Sequence, residues 1–177
     1  MSLEIAPNVT NYTMNIDYNG DDKIDEQKNP DMNEVIIVTP EEENIFDTSS
    51  GTYPSVMGTH TGTIKPNKTI TVSKLYTYPC DGTGGHTKYV AIFSLNGTAI
   101  AEAHWNGYVN DWYNLTFNTS FTLYANETYN YIIRTGSYPQ IIHEKEFNAT
   151  GGKITCTEFV DTNGKRYIDW IPAIRLE

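Results

Sequence analysis

Long apolar runs are missing from this chain. Nothing approaches the roughly 18 consecutive apolar residues that a membrane-crossing helix needs, so no transmembrane segment is expected. Bases are scarce, with 12 Lys and Arg against 22 Asp and Glu. A net charge of −10 repels phosphate, so nucleic acid is not an expected partner. Helical periodicity is absent after residue 50, and so are the heptads of a coiled coil. Charged residues make up only 19% of the chain and cysteine is down to two, Cys80 and Cys156. What fills the gap is Thr, Asn, Gly and 13 Tyr.

The 177 residues suit one domain with an appendage. Residues 1–50 carry twelve acids against Lys23 and Lys28, whereas residues 51–177 carry ten of each sign. We therefore expect an acidic segment over 1–47 and a neutral body over 48–177. Within the segment, Asp17, Asn19, Asp21 and Asp25 are spaced like the oxygen ligands of a dockerin or EF-hand loop, which makes calcium the expected cofactor. Two departures stand against it. Asp22 occupies the place of the turn glycine, and Lys28 the place of the bidentate acid. A solvated linker is the plainer reading.

The body reads as short strands separated by Gly, Pro and Asn. Thr69–Tyr78 alternates and then slips near Lys74, as at a bulge. Lys88–Leu95 is apolar on both faces and suits a central strand. Gly97–Trp105, Trp112–Phe117 and Phe121–Tyr124 follow, then Thr128–Thr135 with Tyr129, Tyr131 and Ile133 on one side. Lys153–Phe159 leads through an Asn163-Gly164 turn to Lys165–Ile171, and Val35–Val38 could add an edge strand. The pattern predicts an all-β antiparallel sandwich, jelly-roll-like in its connections.

Compartment follows from the sequons. Asn-x-Ser/Thr begins at Asn8, Asn11, Asn67, Asn96, Asn114, Asn118, Asn126 and Asn148. Chance would give about three, and such sites accept glycans only on exported chains. An extracellular or cell-surface setting is therefore expected. The start MSLEIAP lacks an apolar stretch, so the export signal and any anchor are expected on a longer parent chain. In that setting Cys80 and Cys156 would form a disulfide, closing a loop of about 75 residues worth about 4 kcal/mol.

Three features bear on chemistry. Tyr-Pro recurs at Tyr53-Pro54, Tyr78-Pro79 and Tyr138-Pro139, each followed by a histidine: His60, His86 and His143. These are strand-end corners; if they converge, the three imidazoles could hold zinc or copper. The run Cys80-Asp81-Gly82-Thr83-Gly84-Gly85 lacks the Gly-Lys-Ser/Thr of a phosphate loop and reads as a wide turn. Trp105, Tyr108, Trp112 and Tyr113 crowd a short stretch with Asn and Asp, as on a sugar-binding face, although Trp in a sandwich is often core. A hydrolase would instead draw on Glu144, Glu146, Glu158, Asp161 and Asp169 as facing carboxylates.

The segments SGTYPSVMGTHTGTI, LYTYPCDGTGGHTKYV, HWNGY, FTLYANETYNYIIRTGSYPQIIH and ITCTEFVDTNGKRYIDWIPAIRL together resemble a C-terminal or repeated module of exported surface proteins in methanogenic and related archaea. The likeness covers about residues 48–176. It implies a cell-envelope setting and no catalytic residue. The expected function is a noncatalytic surface module for adhesion, binding a glycan or an envelope protein. A structural spacer or a secreted hydrolase are the alternatives.

Overall fold

A computed structural model describes residues 14–16, 26–28, 44–107 and 114–177. The chain divides into two compact units, Met1–Glu43 and Asn44–Glu177. In the first, β1 (Met14–Ile16) pairs antiparallel with β2 (Glu26–Lys28), Met14 facing Lys28. Val35–Val38 lies outside the described residues. The second unit takes in Phe46 and Asp47, which the charge pattern had left in the acidic segment.

That second unit is an all-β antiparallel sandwich, with no helix among the described residues. Its strands in chain order are β3 (Phe46–Asp47), β4 (Gly58–Pro66), β5 (Ile70–Thr77), β6 (His86–Ser94), β7 (Ala99–His104), β8 (Asn114–Leu123) and β9 (Tyr129–Gly136). Then come β10 (Ile141–Ile142), β11 (Glu146–Ala149), β12 (Gly152–Asp161), β13 (Arg166–Tyr167), β14 (Ile171–Pro172) and β15 (Ile174–Leu176). The larger sheet runs β11-β12-β4-β9-β6-β7, with β13 also on β12. The smaller runs β3-β15-β5-β8, and β10 pairs with β14. The chain passes from sheet to sheet between β4 and β5, β5 and β6, β7 and β8, and β8 and β9, which is the jelly-roll habit.

Alternation fills the core. Tyr129, Tyr131 and Ile133 of β9 turn inward, as do Ile154 and Cys156 of β12. From the other sheet come Ile70, Val72 and Leu75 of β5. A register shift between Val72 and Lys74 keeps Leu75 on the inner face. Each large apolar side chain buried here contributes about 1.5–3 kcal/mol. Hydrogen bonds tie the open sides of the sandwich. On one side the Glu102 amide donates to Asn118 Oδ1 at 3.2 Å. On the other, Asp47 and Thr150 exchange amide-to-carbonyl bonds at 2.9 and 2.8 Å.

Strand β4 has no counterpart in the sequence reading. Its inward residues are His60, Gly62, Ile64 and Pro66, so the apolar signal is thin. Gly62 is there because nothing larger fits. A Cβ at that position would lie 1.9 Å from the Thr155 carbonyl oxygen and 2.7 Å from the Tyr131 hydroxyl. That hydroxyl already donates to the Thr155 carbonyl at 2.9 Å.

Strand direction gives the sandwich two ends. β4 and β6 run antiparallel to the β9 strand between them, and β4 also to β12. The corners at 52–55, 78–85 and 137–140 therefore gather at one end, together with residues 105–107. The turns at 67–69, 95–98, 124–128 and 150–151 gather at the other.

Candidate functional site

The Tyr-Pro corners do converge. Proline has no amide hydrogen to give a ladder. Pro79 and Pro139 face each other as a bridge whose bonds come from their neighbours, so the missing donors are not called upon. The Cys80 amide donates to the Tyr138 carbonyl at 3.0 Å, and the Gln140 amide to the Tyr78 carbonyl at 2.8 Å. Gln140 Nε2 adds a bond to the Pro79 carbonyl at 2.8 Å. The third corner joins through Thr52, which pairs with Ile141, and through the Ser55 hydroxyl, which donates to the Pro139 carbonyl. The Tyr53–Pro54 peptide is cis.

The glycine loop folds over this junction. The Asp81 amide donates to the Tyr53 hydroxyl at 3.3 Å, and the Gly84 amide to the Ser137 hydroxyl at 3.2 Å. The Thr83 hydroxyl lies 2.8 and 3.0 Å from the carbonyls of Cys80 and Tyr138. Gly85 has φ of +32°, and a Cβ there would come within 2.3 Å of Pro79. The loop is a lid on the corners, as a wide turn should be.

The three tyrosines part company. Tyr53 and Tyr138 stand out in solvent, 62% and 48% exposed. Tyr78 turns in, and its hydroxyl donates to the Asp47 carboxylate at 2.8 and 3.0 Å. Burial, with that carboxylate beside it, pushes the Tyr78 phenol up to about 12.

The histidines do not assemble. Among the described residues no three of His, Cys, Asp and Glu come together as a metal site. His60 is fully buried against Phe159, with its Nδ1 3.2 Å from the Trp170 carbonyl. His86 lies against Trp105, ring centroids 4.1 Å apart, and burial followed by the charge of Lys88 lowers its pKa. His143 meets the edge of Trp170 at 4.7 Å. Each imidazole is spent on an aromatic neighbour.

The expected disulfide is absent, and both thiols are free and buried. Cys80 sits in the corner junction, where its sulfur contacts the Pro139 carbonyl at 3.5 Å. Cys156 lies within β12 opposite Gly62, and burial pushes its thiol up. Each fills its own site as a small apolar residue. An even cysteine count says nothing about where the two thiols fall.

Of the aromatic cluster, Tyr108, Trp112 and Tyr113 lie outside the described residues. Trp105 is partly buried against the core, more a support for His86 than a free platform. The loop Asp17, Asn19, Asp21 and Asp25 also lies outside the described residues. Three of the five carboxylates raised for a hydrolase have partners within the sandwich. Glu146 pairs with Lys153 at 2.6 Å and Glu158 with Arg166. Asp161 Oδ1 accepts the amides of Asn163 and Lys165 at 2.8 and 2.9 Å and so holds their turn. Glu144 and Asp169 are exposed.

Sequence reasoning found the corners but missed Tyr53 and Tyr138 as the exposed rings. The recurrence of Tyr-Pro was the available signal. Comparison with protein-family models finds no match, and no curated protein matches the chain.

Proposed function

We propose that the sandwich is a noncatalytic module of an extracellular surface protein, and that it takes a glycan at the corner end through Tyr53 and Tyr138. The observation that carries this reading is the convergence of the corners. Main-chain bonds fix them, and two of their three rings face solvent. Corners fixed by main-chain bonds lose little entropy when their exposed rings stack on the apolar face of a sugar, and the hydroxyls of Thr83 and Ser137 stand near to meet sugar hydroxyls. The eight sequons support an exported setting. The resemblance to archaeal surface modules supports it too. Affinity near millimolar is expected of such a shallow site, about −4 kcal/mol.

The test is retention on a glycan array by the full chain and by Tyr53→Ala and Tyr138→Ala. Loss of retention with unchanged melting temperature supports the reading. Retention equal to that of the unaltered chain overturns it, and turnover of any arrayed glycan would favour a hydrolase.

A further inference from the structure

Four sequon asparagines in the sandwich gather at the end away from the Tyr-Pro corners. Asn67 follows β4, Asn96 turns β6 into β7, Asn126 turns β8 toward β9, and Asn148 lies on the edge strand β11 near the return to β12. All four are exposed. Backbone bonds tie three of their loops together. The Asn126 amide donates to the Pro66 carbonyl at 2.8 Å, and the Asn67 amide to the Gly151 carbonyl at 2.9 Å. Asn67, Asn126 and Asn148 line one open depression of about 460 Å³ beside Lys65 and Lys153. In Asn96-Gly97-Thr98 the side-chain oxygen accepts the Thr98 amide at 3.0 Å, a bond in which the side-chain nitrogen has no part, on an exposed residue.

Asn114 is different. It begins β8 at the corner end, opposite Tyr76, and is only partly exposed. Its side-chain oxygen is shut off from solvent. A glycan is bulky and belongs on the surface, so one at Asn114 would crowd the half-covered start of β8, where the side-chain oxygen is already closed in.

We propose that Asn67, Asn96, Asn126 and Asn148 are N-glycan acceptors, that Asn114 is not, and that the attached sugars sheathe one end of the sandwich while leaving the corner end bare. The remaining sequon of the sandwich, Asn118, is exposed in the middle of β8 with its oxygen on the Glu102 amide and belongs to neither end. The donor is an oligosaccharide on a polyisoprenyl phosphate or pyrophosphate, used by a membrane transferase during export. A bond forms between the sugar's anomeric carbon and asparagine Nδ2. The bond from that carbon to the phosphate oxygen breaks, the lipid phosphate leaves, and Nδ2 gives up one proton. The inference rests on the export half of the proposed function and not on any ligand at the corners.

The experiment is secretion of the full chain from a cell line with N-glycosylation machinery, followed by isolation of the folded monomer. Enzymatic release of the glycans in heavy-oxygen water marks each occupied asparagine as a labelled aspartate for peptide mass mapping. Label at the four end asparagines and none at Asn114 is the expected result. Label at Asn114 in folded protein, or fewer than two of the four labelled, overturns the proposal. As a check on assignment, Thr69→Val, Thr98→Val, Thr128→Val and Thr150→Val should each remove one label and leave the others. Glycan-array retention by the same protein before and after release is read separately. Unchanged retention agrees with a bare corner end, and retention that appears only after release overturns it. Failure of retention in both forms, with the labelling as expected, counts against the corner ligand alone.

Discussion

His60 lies flat against Phe159, their ring centroids 4.1 Å apart and their planes 21° from parallel. Phe159 in turn stacks on Trp170, and the Trp170 carbonyl receives His60 Nδ1. The imidazole is therefore held neutral. Burial pushes its pKa down to about 3 from 6.5, against a smaller upward pull from the Trp170 carbonyl.

The unfolded chain takes up this proton near pH 6.5 and the folded chain only near pH 3. The contribution is complete above about pH 6.5 and is lost as pH falls toward 3. At 1.36 kcal/mol per pH unit the loss from His60 is about 2 kcal/mol at pH 5 and about 4–5 kcal/mol near pH 3. Urea unfolding at pH 7 and pH 5 measures it. His60→Leu should flatten the dependence between those values, and an equal slope in the variant refutes the assignment.

Gly62→Ala should be among the most damaging small changes in the chain. Its Cβ meets the backbone oxygen of Thr155, which cannot swing aside as a side-chain end can. Overpacking of this kind costs about 1–3 kcal/mol, and contact with main chain puts the expectation at or above the upper figure. Gly164→Ala makes a useful contrast, because a Cβ there meets nothing within 4 Å and only its φ of +82° opposes the change.

Protein purified without reductant should show two reactive thiols once unfolded and almost none while folded. Cys80 and Cys156 are both buried and unbonded. A thiol count of zero in denaturant would mean that the two are joined after all.

Trp105→Ala should cost about 2–4 kcal/mol, since the ring is partly buried and braces His86. Tyr53→Ala should change stability by no more than about 0.5 kcal/mol, as an exposed ring would. Thermal unfolding of the two variants side by side separates support from surface. A Trp105→Ala protein of unchanged stability that fails to retain glycan would move the binding face from the corners to Trp105.

Much of the fold was legible because alternation survives in the residues that point inward. Tyr129, Tyr131 and Ile133 announce β9, and the slip at Lys74 announces the bulge in β5. β4 was hidden because a histidine, a glycine and a proline hold three of its inward places. β8 was read as two runs because Asn118, Thr119 and Ser120 all face solvent in the middle of one continuous strand. The corner end was half legible. Recurrence of Tyr-Pro marked the three turns, but which ring is exposed depends on Asp47, far along the chain, drawing Tyr78 inward. The disulfide failed for a similar reason. Pairing is a matter of where two sulfurs lie, and spacing along the chain carries no such information.

The entry and exit of the sandwich lie side by side. Phe46 faces Leu176 and Asp47 faces Arg175, on strands running in opposite directions. Tension drawn through residues 45 and 177 would therefore act on one rung at a time and peel β3 from β15, instead of shearing all their bonds together. That seam would open before the long β4–β12 and β4–β9 ladders felt the load, so a pull through these two points meets less resistance than one that set the same strands in shear.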